Sequence, residues 1–264
     1  MKPLLAIFGA RFRLLLQYRA AAWAGVVTQV FFGAVITAAL SAFYAGAGDA
    51  RQPLLLSQVV TYVWLGQAFF SLLPWRTDPE VREQVVSGGL AYELLRPVDL
   101  YALWFARALA LKTAPVLLRA LPLFVVAGLF LGLRRPASLE AALLWPLAVA
   151  GAVALSSAFM VLMNLSLLWS VSADGIHYLV PVLVMLLSGQ LLPLPLFPEW
   201  FKPVLLVLPF RGLMDTPHRV WLGDLSGAAA AYALAHQWLW LVALIALGRH
   251  LLARGLRRVV IQGG

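Results

Sequence analysis

The residues able to do chemistry in this chain are few, and their spacing disposes of most reactions. Histidine occurs four times, at His177, His218, His236 and His250, and no pair frames the His-Glu-x-x-His zinc pattern. Cysteine is absent, which removes thiolate nucleophiles, Cys-ligated metals and disulfides together. Ser156 and Ser157 have no acid nearby in sequence, and no Gly-x-Ser-x-Gly elbow occurs to build a serine triad. A nucleotide-hydrolysing loop ends in Gly-Lys-Ser/Thr, because backbone amides must cradle phosphates. Of the three lysines, Lys2, Lys112 and Lys202, only Lys112 precedes a threonine, and Leu111 stands where the glycine is required. The chain is therefore read as not an enzyme, with no catalytic residue, metal or cofactor of its own.

What remains is a set of neutral polar side chains in apolar surroundings: Gln58, Thr61, Gln67, Asn164, Ser188 and Gln190. These are the candidate substrate-path residues. A path lined by weak polar and aromatic groups suits amphipathic or hydrophobic cargo, moved by energy supplied elsewhere. Asn164 shares a helix face with Ser157, a pattern that also serves as glue between helices. A charge at the centre of a span costs ~2.5–3.5 kcal/mol. All eleven acids accordingly fall in loops or at span ends on the boundaries below.

These groups must be positioned by membrane helices. Apolar residues make up 62% of the chain and charged residues 12%, against ~45–50% and ~25% in soluble domains. With a mean hydropathy of +0.88, this excludes a soluble globule, a disordered chain and a disulfide scaffold. The net charge of +9 is read as basic residues at membrane ends rather than a nucleic-acid surface.

A span needs about 20 apolar residues. Six are expected, near 20–45, 54–75, 113–133, 139–170, 176–193 and 231–252, with turns at Gly46–Gln52 and Ser170–Gly175. Residues 1–19 carry Lys2, Arg11, Arg13 and Arg19 and read as an amphipathic interfacial helix. With even parity, 14 of the 20 basic residues lie on the side of both termini and 6 on the other, so both termini are expected in the cytoplasm. The fold class is all-α, one polytopic domain over 1–264.

Two segments are not spans. In the loop 76–100, Asp78 is a plausible N-cap, with Pro79 at the first helical position and Glu80 in the first turn. Val81, Val85 and Val86 then face one way, Gly88–Gly89 ends the helix, and a second piece runs from Leu90 to Arg96 before Pro97. Its shape fits either docking of a soluble partner or rest on the headgroups. The second segment, 194–225, follows the fifth expected span and is itself rich in proline, with Pro195, Pro198, Pro203, Pro209 and Pro217. Its apolar stretch from Trp200 to Leu208 is too short to cross, which suits a re-entrant or interfacial helix at the outer end of a cavity or dimer interface. An external loop on the outer leaflet is the other reading.

With GGLAYELLRPVD after two spans, and LPLPLFPEW…LPFRG before the last, the chain resembles the membrane subunit of type-2 ATP-binding-cassette (ABC) exporters. The likeness is to the six-span bacterial group that includes viologen-exporter-like permeases. It implies an inner-membrane permease paired with an identical or homologous chain, and two separate ATPase subunits holding ATP and magnesium. It also implies a coupling helix in the first loop and an outer re-entrant helix pair in the second segment. Glu80, Arg82, Glu83 and Glu93 would contact the ATPase, Val81, Val85 and Leu94 would anchor it, and Arg96 and Pro97 would close the segment. The other function class is a non-transporting assembly factor or an intramembrane lipid-modifying enzyme.

Overall fold

Long apolar runs fold as helices in lipid because every backbone N–H and C=O must find its partner within the segment. The computed structural model describes residues 2–46, 52–169 and 174–257. Residues 47–51 of the turn expected at Gly46–Gln52, residues 170–173 of the polar stretch Ser170–Gly175, and Arg258 of the basic tail lie outside the described residues. Within them every regular element is helical.

Four helices are long and apolar enough to cross a membrane. They are α2 (Arg19–Gly46), α6 (Leu100–Phe130), α7 (Leu139–Ser166) and α11 (Gly227–Leu256), each preceded or linked by shorter elements. The shorter helices are α1 (Lys2–Leu15), α3 (Leu56–Ala68), α4 (Pro79–Val86), α5 (Leu90–Leu94), α8 (Asp174–Leu187), α9 (Lys202–Val207) and α10 (Asp215–Leu222). At 13 and 14 residues, α3 and α8 fall short of the expected spans 54–75 and 176–193. The cause in α3 is a break: Phe69 leaves helical geometry, a 3-10 turn covers Phe70–Leu72, and Pro74 follows. Carbonyls freed by the break are answered from other helices. The Lys112 ammonium donates to the Leu73 carbonyl at 2.7 Å, and the Ser156 hydroxyl to that of Leu72.

The third span also departs from expectation. Helix α6 begins at Leu100, not near 113, capped by Asp99, whose Oδ1 accepts the Ala102 N–H at 2.8 Å. The added turns carry Arg107 and Lys112, and both are buried in the helix because each meets a partner there.

Lipid tails are as apolar as leucine, so helices in a bilayer are held by close packing more than by expelling water. The contacts fit that rule. A side chain on Gly33 of α2 would collide with the Trp64 ring of α3. A side chain on Gly151 of α7 would collide with the Gln237 amide of α11. That amide is fully buried, donating to the carbonyls of Ala148 at 2.9 Å and Gly212 at 2.6 Å.

Two ends of the bundle result. At one, Trp104, Val81, Leu90 and Met160 form a core that joins α4 and α5 to α6 and α7. At the other, the turn after α6 is bonded to α10: the Ala137 N–H donates to the Trp221 carbonyl at 3.0 Å, and the Trp221 indole to the Arg134 carbonyl at 2.8 Å.

Candidate functional site

Where α3 gives way to α4, four charged side chains meet. Asp78 caps α4, its Oδ1 accepting the Glu80 N–H at 3.0 Å, as Asp-Pro-Glu predicts. The same oxygen accepts Nη2 of Arg11 from α1 at 3.1 Å, and Oδ2 accepts Nε of Arg107 from α6 at 3.2 Å. Arg11 also pairs with Glu80 at 2.7 Å, and Arg107 reaches Glu80 as well. The Asp78 N–H then donates to Oδ1 of Asn164 on α7 at 2.9 Å. Side-chain exposure is 2% for Asp78 and 7% for Arg107, but 52% for Glu80. Burial raises the Glu80 carboxyl, but the bond from Arg11 and the charges of Arg107 and Arg11 outweigh it, holding the group below its ordinary value.

Beyond this knot, α4 and α5 are braced together: the Gln84 amide donates to Glu93 at 3.0 Å, and Arg96 pairs with Glu93 at 3.1 Å. Among the candidate coupling residues, the structure turns several inward. Val81 is fully buried in the core with Leu90 and Trp104, Val85 is half-buried, Glu93 is buried against Gln84, and Glu80 is held by the two arginines. Arg82, Glu83, Leu94, Arg96 and Pro97 are exposed. Three exposed apolar side chains outside the candidate coupling set join them: Val86, Tyr92 and Leu95, at 57%, 76% and 81%. Val86 thus parts from Val81 and Val85, which it was expected to accompany. Only exposure marks this face, and sequence carries no direct signal of it.

The candidate path residues do not form one lining. Gln58 accepts the Leu55 N–H at 2.8 Å, capping α3. Thr61 donates to the Ser57 carbonyl at 2.9 Å and accepts the Arg134 N–H at 3.1 Å. Asn164 is committed to Asp78 at the opposite end. Gln67 is buried on α3, and Gln190 lies against Gly66, where a Cβ would stand 3.2 Å from its Oε1. Ser188 is fully buried, its carbonyl accepting the Asp215 N–H at 3.0 Å.

That last contact leads to a group missed in sequence. Asp215 of α10 is fully buried, accepts the Tyr62 hydroxyl at 3.1 Å, and lies 3.6 Å from Arg219 one turn on. The ring of buried His218 meets Tyr62 edge-on at 4.8 Å. Asp215 does lie outside the expected spans, in the 194–225 loop, yet it is buried, because Arg219 and Tyr62 replace the water the carboxylate would lose. The i, i+4 spacing of Asp215 and Arg219 was the available signal.

A groove of about 440 Å³ opens between α7 and α8, lined by Phe159, Leu162, Met163, Trp169, Val180 and Phe210. It is almost wholly apolar, and its size is that of a small-molecule site.

Residues 55–263 match the family described as ABC-2 family transporter protein. The chain belongs to the ABC-2 transporter family. It is a multi-pass membrane permease of an ABC transporter, a family whose members work in the bilayer with an ABC ATPase. The match leaves α1 and α2, and with them Arg11 of the charged knot, ahead of it, and takes in Asp78, Glu80, Arg107 and the Asp215 cluster. Among curated proteins no sequence match is found. Among the described residues no three of His, Cys, Asp or Glu gather as a metal would need.

Proposed function

We propose that this permease is the membrane half of an ATP-driven exporter that moves amphipathic or hydrophobic cargo out of the cytoplasm. The observation that supports this most is the α4–α5 element. It is rooted by Val81 and Asp78 in the helix bundle, yet presents Val86, Tyr92, Leu94 and Leu95 outward among exposed charges. An element anchored on one side and apolar on the other is shaped to be gripped.

In this reading α4 and α5 are the coupling segment on the cytoplasmic side, where both termini also lie. The chain crosses the membrane six times, α3 with its broken extension and α8 making the two short passes, and α1 lies at the interface. Segments α9 and α10 are the outer re-entrant pair. Two copies of this chain or two homologues flank a path in the bacterial inner membrane, and two ATPases below hold ATP and magnesium. Closure of the ATPases moves α4 and α5, and the bundle alternates access. The apolar groove beside α8 supports hydrophobic cargo.

The test is isolation of the tagged chain from its native membrane. A Walker-motif ATPase is expected to co-purify in near-equal amount, and the reconstituted complex to hydrolyse ATP. Purification alone as an active hydrolase overturns the reading.

A further inference from the structure

The contacts of α4 with the bundle are of two kinds. Val81 makes an apolar contact, which is non-directional and can slide. The charged knot is directional. The Arg107 guanidinium grips Asp78 through Nε and Glu80 through Nη2, so one rigid fork on α6 holds the cap and the first turn of α4. Asp78 adds a bond to Arg11 on α1 and one from its own N–H to Asn164 on α7. One carboxylate residue thus ties four helices.

From Arg107, α6 continues helical through Pro115 and Pro122 to Phe130, about 35 Å at 1.5 Å per residue. At its far end the bonds from Ala137 and Trp221 join α10, whose Asp215 holds Tyr62. A set of two guanidiniums and two carboxylates is weak support for stability, because desolvation offsets much of the attraction at buried Asp78 and Arg107 and solvent screens half-exposed Glu80. Its directional geometry gives it a different use.

We propose that Asp78 and Arg107 are positioning residues, a strut that carries movement of α4 into α6 and so to the Tyr62–Asp215 contact at the outer end. The inference rests on the permease reading and adds the route by which force enters the bundle. Removing the strut leaves ATPase docking intact and disconnects the far end from nucleotide.

The chain has no cysteine, so a single one reports cleanly. Ser188→Cys, buried beside Asp215, is placed in the chain reconstituted with its co-purified ATPase, and its reaction with a membrane-impermeant maleimide is timed with and without ATP and vanadate. In the parent background nucleotide is expected to change the rate at least about fivefold. In Arg107→Gln and Asp78→Asn that response is expected to fall below about twofold while ATPase binding and hydrolysis persist. Asn still caps α4, which keeps the second variant folded. Arg107→Lys, able to reach one carboxylate at a time, is expected to recover part of the response. A full response in both Arg107→Gln and Asp78→Asn overturns the strut. A parent complex that holds its ATPase but shows no nucleotide response overturns the strut and leaves the permease reading standing. Absence of any ATPase overturns both.

Discussion

Asp78 carries three duties with one side chain: it caps α4, neutralises Arg11 and receives Arg107. The cap was legible because it is local, an aspartate before Pro79 and Glu80. Its ionic partners were not, since Arg11 lies 67 positions away and Arg107 29, and only folding brings them together. Glu80 gives the knot a pH dependence. Its carboxyl is depressed in the folded chain, so its stabilisation is present above the ordinary carboxylate value and lost as pH falls through the lowered one. Glu80→Gln should lower the melting temperature at neutral pH by no more than about 2–4 °C, the shift from ~1 kcal/mol in a chain of this size. The limit is small because Glu80 is half exposed and solvent screens it. Scanning calorimetry of both proteins in detergent should show the difference vanish on acidification. A difference that persists in acid would place the effect outside the ion pairs.

Helices α4 and α5 were legible as elements, since Pro79 starts one, Gly88 with a φ of 76° ends it, and Pro97 stops the second. Which face each presents was not legible. Three valines suggested one apolar side, yet the bundle takes Val81 and leaves Val86 outside, a division set by where α6 passes. The start of α6 at Leu100 rather than near 113 has a related cause: sequence shows the charges of Arg107 and Lys112 but not the carboxylate or carbonyl that meets each. The outward face yields a prediction. Tyr92→Ser with Leu95→Asp should reduce ATPase capture by about tenfold, equal to about 1.4 kcal/mol of binding. Melting temperature should hold, since both side chains point away from the core. Quantitative pull-down against the parent chain reads the loss, and undiminished capture would move the docking face elsewhere.

Over the whole molecule, composition made the helical membrane class legible, and a motif pair pointed to the family. The burial of the acid at the α10 end was not, because the Tyr62 hydroxyl that joins Arg219 as its partner arrives only when a short helix folds back beside α3. Helix α8 shows a further consequence of scale. Ile176, Tyr178, Leu179, Val182, Leu183 and Leu186 are all exposed, and its buried apolar contact is Val184 with Pro181 beside it. In the proposed arrangement of two permease chains, this apolar face of α8 is the one assigned to the second chain, where packing against it replaces packing against lipid. Leu179→Cys should therefore give a disulfide-linked dimer in oxidised membranes, seen as doubled mass on a non-reducing gel. A cysteine at exposed Tyr232 on α11 should give less.

The break after α3 has a consequence for how the chain is made. The carbonyls of Leu72 and Leu73 are satisfied by Ser156 and Lys112, which are synthesised later. Until those residues emerge from the ribosome, the hairpin of α2 and α3 carries polar groups that lipid cannot accept. It should therefore linger at the insertion machinery, shielded there, until α6 delivers its lysine. Nascent chains halted before Leu100 are expected to crosslink to that machinery, and chains halted after Ser166 to be released from it.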